Sequence, residues 1–251
     1  MPLDFARRFV GADRTAADNR RLGATLAFVA GAMNAGGFLA VHQYTSHMTG
    51  IVSSMADNLA AGSLDLAAAG LAALLAFLAG AACSAILVNF GRRRSLRSVF
   101  AAPLLLEAVL LLVFGLLGAR LAGTSALFVP ITVLLLCFIM GLQNALITKL
   151  SYGEMRTTHV TGIVTDIGIE LGKLLYWNSP AAADLAPVRP NTARLVGLAW
   201  LGGAFFVGAV AGALAFEHAG YVATVPLAAI LVALASVPTF DDVLVAMRGR
   251  A

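Results

Sequence analysis

Six apolar runs, each close to the roughly 20 residues that a helix needs to cross a bilayer, decide what this chain can fold into. They are Leu22–Val41, Leu66–Phe90, Val99–Gly118, Ser125–Thr148, Leu195–Phe216 and Tyr221–Phe240. No water satisfies the backbone inside a bilayer, so a spanning segment must close its own hydrogen bonds, as an α-helix does. Composition agrees: 60% of the 251 residues are hydrophobic and 12% are charged, with mean hydropathy +0.88. A soluble domain carries about 25% charged residues. So little charge cannot cover a water-facing surface. The formal charge of +4 sits in short loops, where it orients the chain in the membrane and does not point to nucleic acid. Cys83 and Cys137 lie inside apolar runs, which predicts small buried side chains and neither a disulfide nor a zinc site. Residues 1–21 read as a basic, amphipathic, cytoplasmic lead. The first apolar run is long enough to stay as a span and not be cleaved.

A short polar phrase occurs twice. Residues 45–53 read Thr-Ser-His-Met-Thr-Gly-Ile-Val-Ser, and residues 157–165 read Thr-Thr-His-Val-Thr-Gly-Ile-Val-Thr. A matching piece precedes each: Gly31-Ala32-Met33-Asn34-Ala35 and Gly141-Leu142-Gln143-Asn144-Ala145. Such duplication fixes an architecture of two related halves. Each phrase leads into a short or more polar segment, Gly50–Ala61 and Gly162–Trp177.

Positive charge threads the spans. Arginines before the first span, Arg92–Arg94 and Arg97 after the second, a set from Lys149 to Arg194, and Arg248 with Arg250 all fall on one side if six spans cross. That side is the cytoplasm, with both termini in it. The two short segments then dip in and return, or lie within the protein as half-helices. Each half, about 22–120 and 125–240, holds three spans. An odd number makes the repeats inverted, as in many secondary transporters. The expected fold is therefore an all-α polytopic membrane protein, a single transmembrane domain over 22–251. Its six or so helices form two inverted three-helix repeats, each with a broken or re-entrant half-helix. Gly208-x-x-x-Gly212 and Ala76-x-x-x-Gly80-x-x-x-Ser84 suit close helix packing with partners that spacing does not identify.

The phrase carries the chemistry. Thr hydroxyls can cap a helix start, and Gly permits close approach. The Ile-Val-Ser/Thr that follows opens a helix whose N-terminus is partly positive and attracts anions or carboxylates. His47 and His159 titrate near neutral pH. These residues and their neighbours Asn34, Thr49, Gly50, Gln143, Asn144, Thr161 and Gly162 are the candidate substrate-binding set. Asp57, Asp166, Glu170 and Glu107 are the candidates for proton or ion coupling. Asp166, Glu170 and Lys173 share one helix face at i, i+4 and i+7, so Glu170 and Lys173 can pair. Glu107 stands alone in an apolar span, so it faces the protein interior or stays protonated.

Together, Gly31-x-x-Asn34-Ala35 with His47-Met48-Thr49-Gly50, and Met140-Gly141-Leu142-Gln143-Asn144-Ala145 with Thr157-Thr158-His159-Val160-Thr161-Gly162, resemble the YoaK family of bacterial inner-membrane proteins, DUF1275. The resemblance covers about 22–240 and implies a multi-span protein of the bacterial plasma membrane. It brings no substrate and no mechanism. Asn34 and Ile51 stand where relatives often carry Asp and Asn, which puts a cation role there in doubt.

The chain is expected to be a secondary transporter of a small polar or anionic metabolite, proton-coupled, with its site between the repeats. Its partners are the lipid bilayer and a small molecule or ion, with no nucleic acid, and a homo-oligomer remains open. A non-transporting scaffold or channel is the alternative. A membrane-embedded lipid enzyme is disfavoured, because neither a His-x-Glu-x-x-His spacing nor a Gly-x-Ser-x-Gly elbow occurs. No cofactor or metal is expected.

Overall fold

A computed structural model describes residues 16–96, 98–121, 125–150, 159–178 and 186–248. Thr157, Thr158, Arg156, most of the basic lead, Arg97 and Arg250 lie outside the described residues. The described residues form eight α-helices and one 3-10 turn: α1 (Ala16–Val41), α2 (Met48–Ala60), α3 (Leu64–Arg93), α4 (Ala101–Leu121), α5 (Ser125–Leu150), α6 (Val160–Leu175), α7 (Thr192–Ala219), the turn Gly220–Ala223 and α8 (Thr224–Arg248). Five stretches are long and apolar enough to cross a membrane; the last, Thr192–Ser236, runs over both α7 and α8. The chain is an all-helical membrane protein.

Helix ends follow local chemistry. α3 continues past Phe90 because Arg92 and Arg93 occupy its last turn, where basic side chains meet the negative end of the helix dipole. α7 stops at Gly220, whose φ of 58° and ψ of −141° suit a residue without Cβ. The turn after it carries Tyr221, which packs edge-on against Phe114 and Phe216 at 5.7 and 6.4 Å. Gly115 and Gly118 on α4 leave room for Thr224 and Tyr221.

Glycine sets the main helix pairs. α1 packs on α7, and α3 packs on α5. A Cβ at Gly31 would strike the Phe205 carbonyl, and one at Gly208 the Phe28 carbonyl. In the other pair a Cβ at Gly141 would strike the Phe77 carbonyl, and one at Gly80 the Phe138 carbonyl. Each close approach in one pair thus has its counterpart in the other. The small-residue spacings do mark tight packing, and the structure supplies the partners. Both pairs run parallel: Phe28 and Ala32 face Gly208 and Gly212 in order, and Arg92 at the end of α3 donates to the Lys149 carbonyl at the end of α5. α1 and α5 meet in opposite directions, with Leu26 beside Gln143 and Gly37 beside Leu136.

The core lies among α1, α4, α5 and α8, where Leu26, Met33, Leu104, Leu111, Leu136 and Leu231 are buried. α3 and α7 are inverted in character. Small residues face the protein, while Leu75, Leu78, Ile86, Phe206 and Val207 are exposed, as bilayer solvent allows. Cys83 and Cys137 are free thiols, the second fully buried.

Candidate functional site

The two phrases meet. A cavity of about 640 Å³ is lined by Asn34, Tyr44, Ser46, His47, Met48 and Thr49 from the first half. Asn144, Thr148, His159, Val160 and Thr161 line it from the second, with Phe77 and Phe205 as apolar walls. Six candidate residues (Asn34, His47, Thr49, Asn144, His159 and Thr161) therefore share one space.

Each phrase builds the same local structure. His47 is the N-cap of α2, with φ −90° and ψ 69°, and His159 is the N-cap of α6, with φ −85° and ψ 59°. Neither makes a side-chain cap hydrogen bond. For Thr49 and Thr161 this corrects the expectation that Thr hydroxyls cap these helices; Thr157 and Thr158 lie outside the described residues. Thr49 and Thr161 sit two residues into them, past the position from which a hydroxyl can accept from the first free N–H groups. The glycines have a specific role. The His47 ring lies where a Cβ on Gly50 would be, and the His159 ring where a Cβ on Gly162 would be. Only Gly at the fourth position lets the ring fold back over the first helical turn. The partly positive ends of two helices, whose first-turn N–H groups no side chain caps among the described residues, thus open on one cavity. Among the described residues its lining contains no Asp, Glu, Lys or Arg. Ser46 Oγ donates to Asn34 Oδ1 at 2.7 Å and orients that amide. Asn144 Nδ2 donates to the Met140 carbonyl at 2.8 Å, and Thr148 Oγ1 to the Asn144 carbonyl at 2.7 Å.

Other candidates lie elsewhere. Gly50 lines a neighbouring cavity. Gln143 is buried and donates Nε2 to the Leu26 carbonyl at 3.2 Å, tying α5 to α1, while its Oε1 has no partner among the described residues. Glu107 is completely buried in α4, and neither carboxyl oxygen has a hydrogen-bond partner among the described residues. It does not line the cavity. Asp57 is exposed on α2. Glu170 pairs with Lys173 at 2.9 Å, as the spacing predicts. Its other oxygen accepts from the Asn191 backbone N–H at 2.7 Å. The Lys173 hydrogen bond, helped by that N–H, holds the Glu170 carboxyl below its ordinary range. Asp166 pairs with Arg194 at 3.0 Å. These two carboxylates bind α6 to the start of α7 and do not reach the cavity.

Tyr44, Ser46, Thr148, Phe77 and Phe205 were not singled out in the sequence. A signal for the last two exists: Phe77-x-x-Gly80 and Phe205-x-x-Gly208 recur in the two halves, and these are the residues at the glycine contacts. No group of three or more His, Cys, Asp or Glu able to hold a metal occurs among the described residues. No curated protein and no solved structure matches the chain. The family model for the protein of unknown function DUF1275 matches residues 22–237, and the chain belongs to that family.

Proposed function

We propose that the chain is a small secondary transporter for a compact polar or anionic metabolite, built as two inverted three-helix repeats in the bacterial inner membrane. One observation carries the reading: both copies of the duplicated phrase open their helix N-termini onto one polar cavity of about 640 Å³. That volume fits a small metabolite. Helix N-termini at a repeat interface are where such folds hold anionic groups. The antiparallel meeting of α1 with α5, and the exchange of glycine contacts between halves, support inversion. In this arrangement α1 runs outward and α5 inward, and both termini are cytoplasmic. His47 and His159 contact the solute together with Asn34, Thr49, Asn144 and Thr161. Asp166 and Glu170 are committed to fixing α6, so Glu107 is the carboxyl assigned to proton coupling.

The test is uptake into proteoliposomes. Acetate, lactate, succinate and neutral amino acids are offered under an imposed pH gradient, with an internal pH dye as readout. Saturable, gradient-driven uptake that falls at least tenfold in His47→Ala/His159→Ala is expected. Uptake unchanged in that double variant would remove the histidines from the mechanism. Steady, non-saturating conductance in planar bilayers would replace the transporter with a channel.

A further inference from the structure

A second cavity, of about 540 Å³, lies against the first. Its lining comes from one face of α2 (His47, Gly50, Ile51, Ser54, Met55 and Asn58), from the early turns of α3, from Pro130, Val133 and Leu134 near the start of α5, and from the end of α1. These helix ends all lie on the side opposite Arg92 and Lys149. His47 and Tyr44 line both cavities, so these two side chains are the wall between them. Tyr44 is held by stacking on Phe38, with ring centroids 4.4 Å apart and planes 19° from parallel. Among the described residues the His47 ring is held by its fit over Gly50.

The element bearing that wall is mostly exposed, with Met48 and Met55 partly buried against the core. Of the 13 residues of α2, Ile51 alone is buried, and the helix packs chiefly on α3. Its segment is bracketed by two residues in the left-handed region, His42 at φ 52° and Gly62 at φ 73°. For a non-glycine residue such as His42 this conformation is strained by about 1–2 kcal/mol, and element-terminal positions that absorb such angles are where segments pivot.

We infer that the second cavity is an entry site for the same small polar solute. α2 is the gate that admits the solute to the central cavity by carrying His47 away from Tyr44. This rests on the transporter reading for the identity of the solute, but the gate itself is tested without transport. The polar end of the entry cavity, with His42, Gln43, Ser54 and Asn58, suits a solute that is still partly hydrated. Its apolar wall of Ile51, Met55 and Val133 adds no charge that would trap an anion. His47 is the contact common to both sites, so the solute exchanges one neighbour at a time.

The gate can be locked. An ideal Cβ on Gly70 would lie 3.8 Å from the Met55 Cβ, which is the typical Cβ separation in a disulfide. The replaced Met55 side chain vacates the space that Gly70→Cys needs. In a Cys83→Ala/Cys137→Ala background, Met55→Cys/Gly70→Cys is combined with Thr49→Cys, whose site lines only the central cavity. A charged, membrane-impermeant methanethiosulfonate is applied from the face opposite the Arg92 cluster, and modification at 49 is read by peptide mass spectrometry. The reduced protein is expected to label at 49. The oxidised protein should label at least tenfold more slowly, with recovery on adding reductant. Equal rates in both states would overturn the gate, as would failure of the cross-link to form, since α2 would then not rest on α3. Gated labelling without uptake of any solute would retain the gate and retire the transporter.

Discussion

α2 and α6 begin alike and are held differently. Both open on an N-cap histidine with the same backbone angles, no side-chain cap, and a glycine under the ring. Beyond the first turn they diverge. α6 is tied to α7 by Asp166–Arg194 and by Glu170, which is itself buried and reaches the α7 N-cap backbone. α2 carries Asp57 on an exposed position and buries one side chain. Duplication has kept what positions the cavity and has let the bodies of the two helices be held by different means: α2 by apolar contacts of Ile51, Met48 and Met55 with the main core, α6 by carboxylate pairs to α7.

The comparison assumes that both short helices stand on equal frames, and this is the premise with the largest effect to test. Gly80→Val and Gly208→Val each push a branched side chain into a partner's backbone carbonyl, and backbone cannot turn aside as a side chain can. Each is expected to cost about 3 kcal/mol, the upper end of ordinary overpacking, read by denaturant unfolding in detergent. The two losses should agree within about 1 kcal/mol, because the glycine contacts are reciprocal. A severe loss in one and none in the other would mean that the halves do not share a frame.

The sequence made this frame partly legible. Runs near 20 apolar residues located the six long helices, because bilayer solvent imposes length and leaves little else to decide. The phrases located the two helix starts, because a polar glycine-containing break interrupts an otherwise apolar chain. What it could not place was the partner of any surface. Asp166 and Glu170 read as a coupling stripe, since nothing local shows that Arg194 and Asn191, 28 and 21 residues onward, lie opposite them. Thr capping was expected from residue type, whereas register decides it: His occupies the N-cap, and Thr49 and Thr161 stand two residues on, inside the helix. Phe77 and Phe205 joined the cavity through the recurring Phe-x-x-Gly spacing at the glycine contacts, a signal that lies apart from the phrase.

Releasing α6 should make it resemble α2. Glu170→Gln removes the ion pair with Lys173 and weakens acceptance from the Asn191 N–H. Amide exchange over residues 160–175 is expected to rise towards that over 48–60, with α2 itself unchanged. Acid should do the same. The folded-state carboxyl is held below its ordinary value of 4.5, so its contribution is complete above that pH. It is lost as pH falls through the depressed folded value. After correction for intrinsic rates, α6 exchange should therefore rise on acidification below about pH 4.5 in the parent protein and stay flat in Glu170→Gln. If α6 shows no such pH dependence, Glu170 does not tether it.

The shared part of the two helices predicts equal behaviour. Gly50→Ala and Gly162→Ala force the histidine ring off the first turn, but the ring can swing away. Stability should change by no more than about 1 kcal/mol, while the ring leaves its place at the cavity. In a His47→Ala or His159→Ala background the clash is gone, and the same change should stabilise by up to about 1 kcal/mol, the helix preference of Ala over Gly. That reversal of sign, measured by thermal unfolding of the four variants in each half, would confirm that glycine is there for the ring. Its absence in one half would show that the two N-termini are not built alike.

The smallest expected effect separates the two acidic residues nearest the phrases. Asp166→Asn loses a partly exposed pair with Arg194, and such pairs contribute about 0.2–1 kcal/mol after screening. Asp57→Asn removes charge from an exposed position on a helix face without a described ion pair, so its cost should stay within about 0.5 kcal/mol. The same variant tests more than stability. If Asp57 took part in ion coupling, its loss would change the pH dependence of uptake with stability intact. Asp57 lines neither cavity, so uptake and its pH profile should both match the parent. A shifted profile in Asp57→Asn, with Asp166→Asn unshifted, would move the coupling site onto α2.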